Sequence, residues 1–141
     1  MFLGEYKHTI DEKGRLTIPA KYRGLLAAGL VVTRGFNRNL MLYPLEGWKE
    51  LADKIAARPL ADSAMLDFRR RFFSGAVDLM PDRQGRILLP AYLRQFAGIN
   101  GNVIIAGLYD YMEIWDVDTW QTVRDTIEND GDVARWHDLG I

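Results

Sequence analysis

The stretch that decides the fold occurs twice, since residues 11–23 read DEKGRLTIPAKYR and residues 82–94 read DRQGRILLPAYLR. Six of the thirteen positions are identical, namely Asp11/Asp82, Gly14/Gly85, Arg15/Arg86, Pro19/Pro90, Ala20/Ala91 and Arg23/Arg94. Two further positions keep an apolar side chain, as Leu16/Ile87 and Ile18/Leu89. A segment repeated at this density indicates a duplicated structural unit rather than a coincidence of composition.

The match extends beyond this segment on both sides. Upstream, at an offset of 71 residues, Phe2 and Gly4 correspond to Phe73 and Gly75. Downstream, one inserted residue raises the offset to 72, which aligns the pairs Val31/Val103, Gly35/Gly107, Tyr43/Trp115 and Trp48/Trp120. Each copy then has roughly 45–50 residues, and a unit of that size buries too little surface to be stable alone. We therefore expect the two copies to pack together as one pseudo-symmetric body.

Turn residues and alternating apolar side chains predict the same order in each copy: strand, turn, strand, short helix, strand, turn, strand. In the first copy the strands are expected over residues 2–10, 15–18, 30–33 and 40–43, with a helix over 20–28 that Gly29 ends. Further helices are expected over residues 45–57, 60–72 and 117–127. Pro81 lacks a backbone N–H, so the strand before it is expected to end there or to lie at a sheet edge.

This order predicts a division of the chain into four parts. They are a first repeat over residues 1–47, a helical connector over 48–72, a second repeat over 73–118, and a C-terminal helix and tail over 119–141. The tail is polar and acidic but contains Trp136, Leu139 and Ile141, so it is either disordered or docked on a neighbouring chain.

The composition is that of a soluble globular protein, with 48% hydrophobic and 26% charged residues. The sequence has no cysteine, which excludes a disulfide framework and a thiolate metal site. The longest apolar run, residues 25–32, is interrupted by Gly29 and is too short to cross a bilayer. The N-terminus lacks a basic start followed by an apolar core. We therefore expect a cytosolic protein without a membrane partner.

Charge is distributed unevenly although the net charge is only −1. Residues 1–44 hold seven Lys/Arg against three Asp/Glu, residues 45–109 hold nine against seven, and residues 110–141 hold two against nine. The chain is thus basic where it begins and acidic where it ends. A local basic face can bind phosphate at a net charge near zero, but ordinary variation in surface charge would give the same profile.

The repeated Asp and Arg have a structural and a functional interpretation. The structural one is that Asp11 and Asp82 cap turns formed with Gly14 and Gly85 and pair with the arginines that follow. The functional one is that a pseudo-twofold places two arginine-bearing hairpins on one face, where Arg can contact phosphate or guanine. The candidate DNA-binding residues are Arg15, Arg86, Lys13, Arg83, Lys21, Arg23 and Arg94.

Other polar residues form no catalytic constellation. His8 and His137 are far apart and are expected to be surface or packing residues. There is no glycine-rich phosphate loop, paired histidine motif or nucleophile elbow. Arg69, Arg70 and Arg71 are consecutive on a predicted helix, so they point in three directions and do not form one patch. We expect no enzyme activity, no small-molecule substrate, and no cofactor or metal.

The doubled Asp-x-x-Gly-Arg…Pro unit, the opening MFLGEYKHTIDEKGRLTIPAKYR, the segment FSGA at residues 73–76 and the length together resemble the MraZ family. The resemblance covers nearly the whole chain. It implies a SpoVT-AbrB-like swapped-hairpin β-barrel, duplicated in one chain as an intrachain pseudo-dimer, with additional helices between and after the repeats.

The resemblance also implies a function. It implies a cytoplasmic, nucleoid-associated regulator, mainly a repressor, of the division and cell-wall gene cluster including its own operon. A ring-shaped homo-oligomer would bind double-stranded promoter DNA with repeated G-rich boxes. The DNA-contacting arginine of the family falls on Arg15 and Arg86, with Asp11 and Asp82 as the paired positions. Gln84 stands where the first copy has Lys13, so the two hairpins are not identical.

Two other functions stay open at this point. The first is a non-catalytic oligomeric scaffold, whose partner would engage the acidic end and the aromatic helices. The second is an enzyme that uses carboxylates. The scaffold predicts partner capture that survives charge reversal at Arg15 and Arg86 but is lost on removing residues 129–141.

Overall fold

The computed structural model describes residues 1–129 and 133–140 and confirms a mainly antiparallel β protein with short helices. The strands are β1 Glu5–Thr9, β2 Arg15–Thr17, β3 Leu30–Arg34, β4 Leu40–Pro44, β5 Val77–Leu79, β6 Arg86–Leu88, β7 Asn102–Gly107 and β8 Met112–Asp116. The helices are α1 Leu45–Ala56, α2 Ser63–Ser74, α3 Ala91–Ala97, α4 Val117–Asn129 and α5 Val133–His137. Within the described residues the strands form one six-stranded and one two-stranded sheet, and not a single closed barrel.

The two copies, β1–β4 and β5–β8, exchange strands. In the six-stranded sheet the order is β1-β7-β8-β4-β3-β5, so β1 pairs with β7 of the second copy and β5 pairs with β3 of the first. β2 pairs with β6 to form the two-stranded sheet, which we call the ribbon. Because equivalent strands pair reciprocally, a single chain forms the predicted pseudo-dimer.

The strand registers are symmetric about a pseudo-twofold axis. In the ribbon Leu16 pairs with Ile87, the residue that occupies the same position in the second copy at an offset of 71. In the large sheet Met41 pairs with Glu113, its counterpart at an offset of 72. A residue on one antiparallel strand pairs with its counterpart only where a twofold axis passes between them. The axis therefore crosses both sheets at these two pairs.

The pairing corrects the sequence alignment in β3. Tyr6 pairs with Ile105, and the counterpart of Tyr6, Val77, pairs with Val32. Val32 is therefore equivalent to Ile105, an offset of 73, and the aligned pair Val31/Val103 was wrong by one residue. From β4 onward the offset between the copies is again 72. The turn between β7 and β8 has four residues, whereas the turn between β3 and β4 has five. Sequence comparison missed this shift because apolar side chains fill all of these positions.

The main core lies between the large sheet and the ribbon. The ribbon and the residues that follow it contribute Leu16, Ile18, Ile87 and Leu89, all buried. The facing side of the large sheet contributes Leu30, Val32, Leu40, Leu42, Val103, Ile105, Met112 and Ile114. Because both copies supply each layer, neither copy can bury its apolar side chains without the other, as the size of the repeat predicted.

The helices after the first copy pack on the opposite face of the large sheet. Phe72 of α2 is buried and stacks on Trp48 and on Phe68, with 5.0 Å between ring centroids in each pair. Met41 and Tyr43 of β4 complete this aromatic cluster. The helices predicted over residues 45–57 and 60–72 are thus confirmed as packing elements.

The predicted helix over residues 20–28 was wrong in extent. The structure has a short 3-10 helix at Ala20–Tyr22 followed by turns, whereas the second copy has the full helix α3. Gly24 stands where α3 has Gln95, and glycine costs about 1 kcal/mol relative to alanine inside a helix. The hydroxyl of Tyr22 also hydrogen-bonds with the backbone of Leu3. The glycine and this hydrogen bond together favour a short 3-10 helix with turns over a full α-helix in the first copy.

Other expectations for the chain were confirmed or fall outside the described residues. β5 ends at Leu79 and lies at a sheet edge, as Pro81 predicted. α4 confirms the closing helix. Residues 130–132 and Ile141, in the tail predicted over 119–141, lie outside the described residues. No helix in the described part of the chain is long and apolar enough to cross a membrane.

We expect Leu16→Ala to lower the free energy of unfolding by about 2–5 kcal/mol, because Leu16 is fully buried on the pseudo-twofold axis. Urea unfolding followed by tryptophan fluorescence measures this loss. The matched control is Thr17→Ala, one residue along the same strand and on its outer side. Equal losses for the two variants would show that the ribbon does not pack on the large sheet.

Candidate nucleic-acid interface

The ribbon presents one buried and one outward face. Leu16 and Ile87 point into the core, so the residues on either side of them in each strand point outward. Arg15 pairs with Leu88, and Thr17 pairs with Arg86. The pseudo-twofold thus places Arg15 and Arg86 diagonally across the ribbon, on its outer face. Residues in this diagonal relation on neighbouring strands are roughly 7–8 Å apart. This is the arrangement that the functional interpretation of the repeat required.

The turn before each ribbon strand is built around an aspartate. Oδ1 of Asp11 accepts hydrogen bonds from the backbone N–H groups of Lys13, at 3.0 Å, and Arg15, at 2.8 Å. Gly14 has φ +83°, a conformation that glycine adopts without the steric cost of a Cβ. The turn closes through a 2.9 Å bond from the Gly14 N–H to the Asp11 carbonyl. The structural interpretation of Asp11 as a turn cap is therefore confirmed.

The same aspartate also holds the arginine side chain. Nε of Arg15 donates to Oδ2 of Asp11 at 2.7 Å, and Nε of Arg86 donates to Oδ2 of Asp82 at 2.8 Å. Within the described residues the terminal nitrogens Nη1 and Nη2 of both arginines have no hydrogen-bond partner. Each guanidinium is thus oriented through Nε, while its two outer nitrogens are left to bind an external group.

The second hairpin reproduces this geometry closely. Oδ1 of Asp82 accepts from the backbone N–H groups of Gln84 and Arg86, both at 2.9 Å. Gly85 has φ +74° and its N–H bonds to the Asp82 carbonyl at 2.9 Å. We call the Asp–Arg pair of each hairpin the clamp. Two equivalent clamps in one chain therefore flank the pseudo-twofold axis.

Hydrogen bonding favours the charged form of both clamp carboxylates. The backbone N–H of Arg15 is the main cause that holds the pKa of Asp11 below its usual value, and the Arg15 side chain adds to it. The backbone N–H and side chain of Arg86 lower the pKa of Asp82 in the same way. The carboxylates are thus ionised at neutral pH, and each arginine keeps a fixed counter-charge behind it.

Arg23 and Arg94 have a different position from the clamp arginines. Nε of Arg23 donates to the Ile18 carbonyl at 3.3 Å, and Nε of Arg94 donates to the Leu89 carbonyl at 3.0 Å. Each side chain lies over the hairpin glycine of the other copy, since a Cβ added to Gly14 would be 2.9 Å from the Arg94 guanidinium carbon. Arg23 covers Gly85 equivalently. These two residues therefore brace the hairpins across the pseudo-twofold.

The remaining sequence candidates are exposed. Lys13 and Arg83 lie in the two hairpin turns. Lys21 is also exposed, with its ammonium 5.8 Å from the centre of the Tyr22 ring. Sequence reasoning missed Thr17 and Leu88, which share the outer face with Arg15 and Arg86. The signal available in the sequence was the alternation about Leu16 and Ile87.

The described residues contain no cluster of His, Asp or Glu that could hold a metal ion. His8 lies close to Arg23, and burial together with that positive charge lowers the pKa of the imidazole. The outer face of the ribbon itself carries the guanidinium groups of Arg15 and Arg86 and the apolar side chain of Leu88. A cationic surface of this kind can attract a polyanion.

Comparison with known proteins gives one consistent family. The family model described as "MraZ protein, putative antitoxin-like" matches residues 1–71 and again residues 72–137. A protein named Transcriptional regulator MraZ from Herpetosiphon aurantiacus is 50% identical over 137 residues, covering 97% of this chain and 96% of the relative. One of the same name from Roseiflexus castenholzii is 48% identical over 128 residues, covering 91% of this chain and 90% of the relative.

The cause of the lowered pKa of Asp82 can be tested by NMR titration of its carboxyl carbon. We expect a midpoint below 3.8 in the natural chain. In Arg86→Gln the midpoint should rise but stay below 3.8, because the backbone N–H of residue 86 is the larger cause. Arg70→Gln, which removes an exposed arginine of α2, is the matched control and should leave the midpoint unchanged.

The sign of the pH effect follows from this shift. A lowered pKa in the folded state means that the carboxylate stabilises the hairpin above pH 3.8, and that this stabilisation is lost as the pH falls through the folded pKa. A full return of the Asp82 midpoint to 3.8 in Arg86→Gln would contradict the proposed role of the backbone N–H groups.

Proposed function

The chain belongs to the MraZ family, and we propose that it is a DNA-binding transcriptional regulator that contacts DNA through the outer face of the ribbon. The observation that carries this proposal is the pair of clamps, which present two oriented guanidinium groups on one face. The names of the relatives support transcriptional regulation. The predicted repeats over residues 1–47 and 73–118 would each supply one hairpin.

A two-stranded ribbon is a shape that the major groove can admit. A groove about 12 Å wide admits a two-stranded β ribbon, and proteins that read DNA with strands place side chains of the outer face on base edges. Arg with free Nη1 and Nη2 can bind O6 and N7 of guanine together. A guanidinium already held through Nε loses little side-chain entropy on binding. Arg15 and Arg86 are therefore assigned to base contacts.

The surrounding cations suit the phosphate backbone. Lys13 and Arg83 lie in the turns at the two ends of the ribbon, and Lys21 is exposed behind the first hairpin. Contacts to phosphate position a protein on DNA without reading its sequence. These three residues are assigned to that role, while Arg23 and Arg94 are assigned mainly to bracing the hairpins.

One chain supplies few contacts, so a multivalent assembly is part of the proposal. Several ribbons held in one ring would bind repeated boxes with high effective concentration. Such an assembly, bound across its own promoter, would block transcription and act mainly as a repressor of its operon in the cytoplasm, on the nucleoid. The family resemblance implies G-rich boxes, and the proposed contacts of Arg15 and Arg86 to guanine agree with that expectation.

Two surfaces support assembly between copies of this chain. The first is an open groove of about 560 Å³, here called the acidic groove, whose lining includes Met1, Leu25, Glu46, Glu50, Tyr109 and Asp110. Three of these side chains are large, apolar or aromatic, and exposed: Met1 by 70%, Leu25 by 49% and Tyr109 by 65%. A groove that combines exposed apolar side chains with a carboxylate rim is suited to a basic partner surface.

The second surface, here called the basic flank, surrounds Phe96 of α3. The guanidinium groups of Arg34 and Arg71 lie 5.9 Å and 5.5 Å from the centre of the Phe96 ring. Arg71 also donates to the Gly35 carbonyl at 2.7 Å, at the base of the turn that carries exposed Arg38. None of these arginines pairs with a carboxylate among the described residues, where the ion pairs are Asp11–Arg15, Asp67–Arg70, Asp82–Arg86 and Glu5–Arg124.

The two surfaces occupy related positions in the two copies. Phe96 is the counterpart of Leu25 at an offset of 71, and Arg38 is the counterpart of Asp110 at an offset of 72. The pseudo-twofold thus relates a carboxylate on one side to a guanidinium on the other. Two different, complementary surfaces form a head-to-tail contact, and such contacts close into a ring when the rotation per subunit allows it.

The acidic groove also favours one rival function, a non-catalytic scaffold that binds another protein there. A scaffold of that kind does not need the clamps. DNA binding and partner capture can therefore be separated by substitutions at the ribbon.

Fluorescence anisotropy with a duplex from upstream of the protein's own gene tests DNA recognition. Each of Arg15→Ala and Arg86→Ala should lower the preference over a scrambled duplex roughly 5- to 150-fold, as expected for losing about 1–3 kcal/mol of base discrimination. Binding by the natural chain should weaken steeply with salt, because phosphate contacts release counterions. Arg70→Ala, an exposed arginine of α2 paired with Asp67, is the matched control. Equal binding of both duplexes by all four proteins would favour the scaffold.

Sedimentation velocity on charge-reversed chains tests the assembly. Asp110→Arg and Arg38→Asp should each dissociate the oligomer when alone, because each places like charges across the head-to-tail contact. An equimolar mixture of the two should reassociate into the oligomer, because the natural groove of one variant faces the natural flank of the other, and the two reversed charges attract each other at the next contact. Failure of both single variants to dissociate would remove these surfaces from the contact.

A further inference from the structure

The two halves of the ribbon's outer face differ at one pair of equivalent positions. Thr17 of the first copy corresponds to Leu88 of the second at an offset of 71. Leu88 has 55% of its surface exposed, although the equivalent position in the first copy carries a hydroxyl. A single exposed leucine is common on protein surfaces. Its position beside the clamps is what gives it significance.

Leu88 lies directly beside Arg15. The backbone bonds from the Ile18 N–H to the Gly85 carbonyl, at 2.8 Å, and from the Leu89 N–H to the Gly14 carbonyl, at 2.9 Å, identify the hydrogen-bonded pairs of the ladder. Alternation along an antiparallel ladder makes Arg15/Leu88 a pair without backbone hydrogen bonds, in which side chains are closest. Their Cβ atoms are then roughly 4.5–5.5 Å apart.

That separation is suited to two adjacent bases. The guanidinium of Arg15 can bind O6 and N7 of a guanine in the major groove, whereas the feature there that an apolar side chain contacts is the 5-methyl group of thymine. On the other half of the ribbon, Arg86 lies beside Thr17, which offers a hydroxyl and a single methyl group. The two halves therefore present different chemistry to a duplex that a perfect twofold would contact identically.

We propose that Leu88 contacts the methyl group of a thymine next to the guanine bound by Arg15, and that this contact orients the pseudo-symmetric ribbon in one direction on its DNA site. The inference depends on the proposed function, because it assumes that the ribbon enters the major groove. It adds a residue outside the repeated motif and a base outside the guanines. A directional site also allows successive boxes to be read in the same sense around a head-to-tail assembly.

The test replaces each thymine of a single-box duplex in turn by deoxyuridine, which removes only the 5-methyl group. The natural chain should lose about fourfold in affinity at one thymine adjacent to a guanine, the effect expected for burying one methyl group. Leu88→Ser should bind the unmodified duplex about fourfold more weakly and should no longer distinguish thymine from deoxyuridine there, because serine has no methyl group to contact the base. Because Leu88 is exposed and its counterpart is a threonine, this variant should fold normally.

Two further variants complete the design. Thr17→Leu should increase the deoxyuridine sensitivity of a thymine on the other half of the site, whereas Thr122→Leu, at an exposed threonine of α4 outside the ribbon, should leave the original pattern intact. The inference is overturned if no single deoxyuridine changes the affinity of the natural chain, or if Leu88→Ser keeps the same sensitivity. Arg15→Ala, measured on the same duplex, distinguishes failure of this inference from failure of the proposed function. If this variant binds as tightly as the natural chain, the proposed function itself fails.

Discussion

The pairing of β2 with β6 is the interaction on which the rest of the structure depends. It joins the two copies at the pseudo-twofold axis through Leu16 and Ile87, and it is extended by backbone hydrogen bonds between Ile18 and Gly85 and between Leu89 and Gly14. Because the inner side of the ribbon forms one layer of the core, its register is determined by burial. A slip of one residue would turn both arginines into the core and both core residues outward.

This constraint explains why the repeated motif contains the residues it does. Gly14 and Gly85 serve two needs, since each turn requires a positive φ and each glycine is covered by an arginine of the other copy. Asp11 and Asp82 also serve two needs, as turn cap and as counter-charge for the following arginine. A change at either position disturbs the hairpin and the guanidinium together. Structural and functional interpretations of the motif are therefore not alternatives in this fold.

Much of this arrangement could be predicted from the sequence, and its limits have physical causes. Apolar alternation and turn residues predicted every strand of the first copy to within a few residues, and the repeat predicted the second. The helix over residues 20–28 was wrong because Gly24 and the long-range bond from Tyr22 to Leu3 outweigh local propensity. The shift in β3 was missed because runs of apolar residues align equally well in two registers. The repeat did not identify Thr17 and Leu88, because these equivalent positions carry different residues in the two copies.

Differences between the copies are where a duplicated chain can gain what a symmetric dimer lacks. A homodimer would carry the same residue on both sides of its axis. Its ribbon would then contact both halves of a site identically, and the surfaces equivalent to the acidic groove and the basic flank would have the same charge. Here the equivalent residues Thr17 and Leu88 differ on the ribbon. Asp110 of the acidic groove and its counterpart Arg38, in the turn beside the basic flank, carry opposite charges. The core pair on the axis of the ribbon, by contrast, is apolar in both copies. Burial restrains residues in the core of both copies, but exposed positions are free to diverge. Fusing two copies into one chain thus preserves a symmetric scaffold and permits a directional surface.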